Sequence, residues 1–266
     1  MSRCLLPNGV TIHYEEYHAE GSPAVLLLHG LGSAGIDWLL QFKPLGEAGY
    51  RVLAPDLRGF GRSPWPGATT VPAMAEDMAL LLEKLKASPA HVVGISMGGT
   101  VALQLALDFP ERVRSLVLVN TFARLRPQGV RGLLYFPVRM ALLYTLGLET
   151  QARLVAKRIF PHPHQEALRA QLRHRIAQTD PRAYRAAMWA LARFNVEDRL
   201  GDVRAPTLVI TGDEDTTVPP ATQRLLAERI PGAQQVTIPG AGHAVILDSP
   251  AAFNAALLSF LGDLTG

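Results

Sequence analysis

The stretch "HVVGISMGGT", residues 91–100, decides how the chain is read. An apolar run, His91 to Ile95, ends on Ser96, and Gly94 and Gly98 stand two places to either side. The run has the length and content of a buried strand. The segment behind it, "GGTVALQLALDFP" (98–110), has the content of a helix that stops at Pro110. A serine on a sharp turn between strand and helix takes a strained backbone conformation. The flanking glycines are needed because a Cβ at either place would strike the neighbouring strand or helix. Such a turn lifts the hydroxyl above the carboxyl edge of a sheet. The helix N-terminus behind it aims N–H groups and a positive dipole end at developing negative charge. The bland alternative is a serine in a tight structural turn, and the rest of the chain has to decide.

Outward from this turn the chain alternates. "RCLL" and "VTIHYEEY" flank Pro7-Asn8-Gly9, and Asn-Gly is a strong hairpin signal. Short apolar runs follow: "AVLLLH" (24–29), "RVLAP" (51–55), "HVVGI" (91–95), "RSLVLVN" (114–120), "PTLVIT" (206–211) and "AQQVTI" (233–238). Continuous apolar runs read as strands covered on both faces, the mark of a parallel sheet. Helical patterns separate them at 71–88, 98–110, 219–232 and roughly from Pro250 to Leu261. The expected fold is α/β, a mostly parallel eight-stranded sheet with flanking helices.

The alternation fails between residues 121 and 205. Leu168, Leu172 and Ile176 mark one helical face there, and Tyr184, Met188 and Leu191 another. A helical block between two strands of one sheet must sit outside the sheet layers. It is read as a cap, residues 121–200, inserted into a core of 1–120 and 201–266. Its first helix carries Leu133, Leu134, Phe136, Met140, Leu142 and Leu143, apolar in more than one direction. Phe136, Met140, Trp38 and Trp189 are the candidates for a substrate pocket beneath it.

Composition bounds the function. With 48% hydrophobic and 18% charged residues, a large core is affordable and disorder is not expected. Net charge is +3, which does not argue for a nucleic-acid partner. The excess is local: residues 121–200 hold 13 Arg and 1 Lys against 5 acids, or +9, leaving −6 elsewhere. The plain reading of that excess is a solvated cap face; the sharper one is steering of anions. No apolar run is long enough for a membrane span, no signal peptide is evident, and Cys4 is the one cysteine. A cytoplasmic enzyme fits best.

A serine hydroxyl is a weak nucleophile and needs a base and an acid that orients it. His243 lies in "PGAGHAVILDSP", after the last strand, and "TLVITGDEDTTVPP" places Asp213 and Asp215 just past the strand before it. With His29-Gly30-Leu31-Gly32, Asp56-Leu57-Arg58-Gly59-Phe60-Gly61-Arg62-Ser63, the elbow at 94–98, Gly212-Asp213-Glu214-Asp215 and Gly242-His243, the sequence resembles the α/β-hydrolase family along nearly its whole length. That resemblance implies Ser96 as nucleophile, Asp215 as acid and His243 as base. It also implies an oxyanion hole from the N–H groups of Leu31 and Met97. Residues 180–220 look most like small carboxylesterases and 3-oxoadipate enol-lactonases, although Asn195 stands where many relatives carry Asp.

The resemblance implies no cofactor and no metal. His162 and His164 in "PHPH" look like a metal pair, but no acid or cysteine cluster accompanies them. His29 reads as structural, ordering the loop behind it. Arg58 and Arg62 sit in a glycine-rich loop without a phosphate-binding fingerprint. The expected activity is hydrolysis of a small-molecule ester or lactone through an acyl-enzyme, with neutral short-to-medium-chain esters preferred. That preference assumes that most cap arginines face solvent. Carbon–carbon bond hydrolysis and cofactor-free perhydrolysis share the same triad. A ligand-binding receptor on the same fold is the reading outside enzymes.

Overall fold

Asn8 and Gly9 close the first hairpin. Strands β1 (Ser2–Leu5) and β2 (Thr11–Tyr17) pair antiparallel, with Leu5 opposite Thr11 and Gly9 at φ +81°. The structure, a computed structural model, describes residues 2–125 and 129–264; the side chains of residues 129–133 and 135 lie outside the described set, and the expectation for Leu133 falls there.

The remaining strands are β3 (Ala24–Leu28), β4 (Arg51–Pro55), β5 (Ala90–Ile95), β6 (Val113–Val119), β7 (Thr207–Gly212) and β8 (Gln234–Ile238). They form one eight-stranded sheet in the order β1-β2-β4-β3-β5-β6-β7-β8, parallel from β4 to β8. The chain steps outward from β3 to β4 and then returns to place β5 on the other side of β3. That reversal makes a crevice at the carboxyl ends of β3 and β5, the place where open α/β sheets bind ligands.

Helices α1 (Leu39–Glu47), α2 (Val71–Lys84) and α3 (Met97–Asp108) precede β6, and α8 (Pro220–Arg229), α9 (Val245–Asp248) and α10 (Pro250–Asp263) follow β7. Helix α2 starts where Thr70 Oγ1 accepts the Ala73 N–H at 3.1 Å, with Pro72 in the first turn. Helix α1 has a weak sequence signal because Pro44 stands inside it.

The sheet divides two cores, and strand alternation sorts residues between them. Leu26 and Leu28 pack with Met78 and Val101 on one face; Val25 and Leu27 pack with Trp38 and Phe253 on the other. Strand β8 departs from the expected two-sided burial. It is the sheet's edge, only Ile238 is buried, and Gln234 and Gln235 face water. Arg58 points into the fold. It forms a bidentate pair with Asp77 at 2.6 Å on both oxygens, buried, and Asn8 Nδ2 donates to the same carboxylate at 2.9 Å.

Between β6 and β7 the chain leaves the sheet layers. Among the described residues this insertion holds four α-helices: α4 (Gly129–Thr145), α5 (Gly147–Ile159), α6 (Glu166–Gln178) and α7 (Pro181–Arg193). No helix among the described residues is long and apolar enough to cross a membrane.

Candidate active site

Strand β5 delivers Ser96, which takes φ +53° and ψ −116°, a conformation L-residues avoid. The turn is tight for the reason its sequence gives. A Cβ on Gly94 would lie 2.2 Å from the Gly98 carbonyl oxygen, and one on Gly98 would lie 2.1 Å from that of Leu28. Ser96 N–H donates to the Val119 carbonyl at 3.0 Å, and Thr121 Oγ1 donates to the Ser96 carbonyl at 2.7 Å. Met97 is the first residue of α3, so its N–H has no acceptor within the helix.

The loop after β7 carries Asp215, and the loop after β8 carries His243. His243 Nδ1 lies 2.8 Å from Asp215 Oδ2, both groups buried. A carboxylate can only accept, so Nδ1 carries a proton, and in the neutral ring Nε2 keeps a lone pair. Asp215 Oδ1 accepts the N–H groups of Thr217 (2.7 Å) and Val218 (2.9 Å). Asp213 is exposed and accepts the Gly240 N–H instead. The geometry therefore sets Asp215, not Asp213, against the imidazole.

Ser96 and His243 line the same cavity, although no hydrogen bond joins them in this state. Catalytic hydrogen bonds are often long before substrate binds.

Asn120, at the end of β6, ties these loops together. Its Nδ2 donates to the carbonyls of Gly242 (2.9 Å) and His243 (2.8 Å), and its Oδ1 accepts the Gly212 N–H at 2.9 Å. The sequence reading passed over Asn120. Its signal was the same as that of Ser96: a polar side chain closing an apolar strand.

On the other side of the crevice, β3 is followed by His29, which is fully buried. His29 Nε2 accepts the Leu57 N–H at 2.9 Å, so Nδ1 carries the proton and donates to the Gly30 carbonyl at 2.8 Å. Burial lowers the basicity of this imidazole, which favours the neutral ring that such a pattern needs. The Gly30 carbonyl and the Leu31 N–H belong to one peptide plane, so fixing the first orients the second.

The cavity has a volume of about 510 Å³. Both helical faces read from the sequence border it: Leu168 and Leu172 from α6, and Tyr184, Met188 and Leu191 from α7. Of the four pocket candidates, Phe136 lines it. Trp38 does not; it is fully buried in the core against Phe253. Met140 is buried among core side chains and is not among the residues that border the cavity. Trp189 is 39% exposed, in an edge-to-face contact with Phe136 and with Arg193 over its face. Two cap arginines also line the cavity. Arg139 donates to Tyr184 Oη at 3.1 Å, and Arg158 to the Thr216 carbonyl.

His162 and His164 stack face to face with centroids 5.5 Å apart, and His162 Nε2 lies 3.5 Å from Glu214. Among the described residues no three His, Cys, Asp or Glu side chains group as metal ligands do.

Strand order, elbow and a buried carboxylate–imidazole pair together define a class. The chain belongs to the alpha/beta hydrolase fold family, whose sequence model it matches over residues 23–250. Within the family it is a hydrolase related to the esterases and lactonases. It is 37% identical over 259 residues to the RutD protein of Variovorax paradoxus (strain S110), provisionally named a carbamate hydrolase, covering 94% of this chain and 96% of that one. The enol-lactonase of Burkholderia xenovorans LB400 superimposes with a TM-score of 0.90 at 28% identity, covering 98% of this chain and all of the other (100%). A thermophilic esterase from Thermogutta terrifontis, solved with malate bound, gives 0.86 at 28% identity, with 99% of each chain covered.

Proposed function

We propose that the protein is a serine hydrolase of carboxylic esters. Ser96 Oγ attacks the acyl carbonyl while His243 Nε2 takes its proton. The N–H groups of Leu31 and Met97 hold the oxyanion, and the alcohol leaves with the proton from His243. Water, activated by the same imidazole, then releases the acid from the acyl-enzyme. The observation that carries this reading is the 2.8 Å pair of His243 and Asp215, with His243 lining the cavity that Ser96 also lines. An orienting acid, a base with a free lone pair and a strained hydroxyl at a helix N-terminus have this use in common.

The cavity favours an apolar acyl or alcohol group. Its volume of about 510 Å³ falls in the usual range for small-molecule sites, and Phe136, Val155, Leu168, Leu172, Met188 and Leu191 form much of its wall. Each methylene buried there contributes about 0.8 kcal/mol. Neutral short-to-medium-chain esters are the substrates proposed. Arg139 and Arg158 in the wall favour a second reading, a lactone or ester that carries a carboxylate.

A fluorophosphonate probe and an ester panel test the reaction. Ser96 should be the labelled residue, and Ser96→Ala should lose label and lower kcat by several powers of ten with the fold intact. Wild-type labelling with negligible turnover would favour a ligand receptor. The panel compares p-nitrophenyl butyrate with 3-oxoadipate enol-lactone at low and high salt, and includes a carbamate ester because that bond is named for the RutD relatives. An enol-lactone advantage that persists at high salt would select the second reading.

A further inference from the structure

The cap makes one contact with the crevice that the proposed reaction does not use. Arg175, on α6, donates from Nη2 to Asp37 Oδ1 at 2.9 Å. The other oxygen of that carboxylate receives the Ser33 hydroxyl at 2.5 Å and the Ala34 N–H at 3.1 Å. Asp37 therefore folds residues 33–37 back on themselves, and the cap holds it from outside.

The next residue of α6 touches the same loop. Ile176 is fully buried and fills the space beside Gly32. A Cβ there would come within 2.7 Å of Ile176 Cγ1 and 3.1 Å of Tyr184 Cε2, and Gly32 itself has φ +75°. Gly32 can take both the left-handed backbone and the close approach because it has no side chain. The cap thus bears on residues 32–37, immediately after the Leu31 peptide. Ser33 N–H also returns to the Gly30 carbonyl at 3.2 Å, the carbonyl that His29 holds from below.

Arg175 is not among the residues that line the cavity, whereas Ser33 and Asp37 are. A guanidinium that does not face substrate can act on the reaction only through another group. Its side chain is 29% exposed, and the Ser33 hydroxyl and the Ala34 N–H still hold the buried Asp37 carboxylate without it. Its effect should be local.

We infer that Arg175 is a positioning residue for the oxyanion loop: through Asp37 it fixes the segment that presents the Leu31 N–H, so the cap contributes to the chemical step as well as to substrate choice. This rests on the proposed role of Leu31 in holding the oxyanion. One member of the arginine excess in the cap then has a use other than solvation or steering. A displacement of well under 1 Å in an oxyanion donor is enough to cost rate, because these donors act at hydrogen-bond distance from a charge that exists only in the transition state.

The test uses Arg175→Met, which keeps the aliphatic stem, and Arg175→Lys, which restores a charge without the planar fork. Asp37→Asn approaches the same contact from the core side. The readouts are kcat and KM for p-nitrophenyl butyrate, Ki for a trifluoromethyl ketone that forms the tetrahedral adduct, the rate of fluorophosphonate labelling, and Tm. Arg175→Met should lower kcat by about ten- to a hundredfold. Affinity for the ketone should fall in parallel, KM should move less than about twofold, and Tm should change by only a few degrees. Arg175→Lys should recover part of kcat. A raised KM with unchanged kcat would make Arg175 a substrate contact and overturn the inference. So would unchanged kcat and Ki. If Arg175→Met proves insoluble, the same split in Asp37→Asn decides, and its absence overturns the inference. If the wild type neither labels nor turns over any ester, the hydrolase reading falls and this inference with it; normal wild-type chemistry with indifferent variants sinks the inference alone.

Discussion

The side-chain amide of Asn120 donates to the backbone carbonyl of His243 at 2.8 Å. Its other contacts reach Gly242 and Gly212, so one buried side chain at the end of β6 links the two loops that bring His243 and Asp215 together. Asn120→Ala would orphan two carbonyls and one N–H away from water. The expected cost is about 2–4 kcal/mol of stability, with a fall in kcat as the imidazole loses its register. Urea denaturation beside steady-state kinetics measures both. A variant with wild-type kcat would show that the loops hold their geometry without this tie.

Asp213 and Asp215 separate cleanly by substitution. Asp215→Asn keeps the shape but offers an amide where the imidazole needs an acceptor, and kcat should fall by about three to four powers of ten. Asp213→Asn touches only the Gly240 N–H, and kcat should stay within about a factor of three of wild type. A larger loss from Asp213→Asn would reverse the assignment of the acid.

Activity should need a neutral imidazole at residue 243, since a protonated Nε2 cannot accept the serine proton. The sign follows: kcat/KM should rise with pH on the acid side and then level off. A chelator should leave the rate unchanged. A profile that falls with rising pH on the acid side, or activity that EDTA removes and a divalent ion restores, would contradict the mechanism.

Stability should carry its own pH dependence, from a histidine remote from the reaction. His91 is buried beneath Tyr50, its Nδ1 is 2.7 Å from Ser115 Oγ, and burial with the nearby Arg114 lowers its pKa to about 4. The unfolded chain titrates near 6.5. Between those values the unfolded state binds the proton and the folded state does not. Stability is therefore complete above about pH 6.5 and falls as pH drops toward 4. His29, also lowered by burial, acts in the same direction. Urea midpoints for wild type and His91→Gln at pH 7.5, 5.5 and 4.5 should show a shallower loss in the variant. Equal slopes would rule His91 out as a source.

The sheet was legible because its central strands are covered on both faces, and such strands write themselves as unbroken apolar runs: "AVLLL", "HVVGI", "TLVIT". The edge was less so. Strand β8 has one neighbour and little to bury, so its glutamines carry no alternation. The two helical faces of the cap were readable from spacing at Leu168 and Leu172 and at Tyr184 and Met188, and both face the cavity. What spacing could not supply was depth. Trp38 and Phe136 are equally apolar by sequence, yet the first is sealed under the sheet and the second borders open space. Nor could it tell Arg139 and Arg158 from the other cap arginines, because a guanidinium on a long stem reaches into a cavity or away from it by rotamer alone.

The insertion leaves the sheet after β6 and rejoins it at β7, and these strands are neighbours, with Val119 opposite Ile210. Both ends are thus anchored within one strand spacing of each other, while Ser96, Asp215 and His243 all ride on segments outside it. For inheritance this makes the cavity roof a cassette: one contiguous exchange of coding sequence can replace the cap side of the cavity wall and leave the proposed reacting groups in their frame. The exchange has a dependency. Asp37 stays behind when the cassette leaves, so an incoming roof without a cation at the place of Arg175 would leave that carboxylate without its partner from the cap, and the two positions should change hands together.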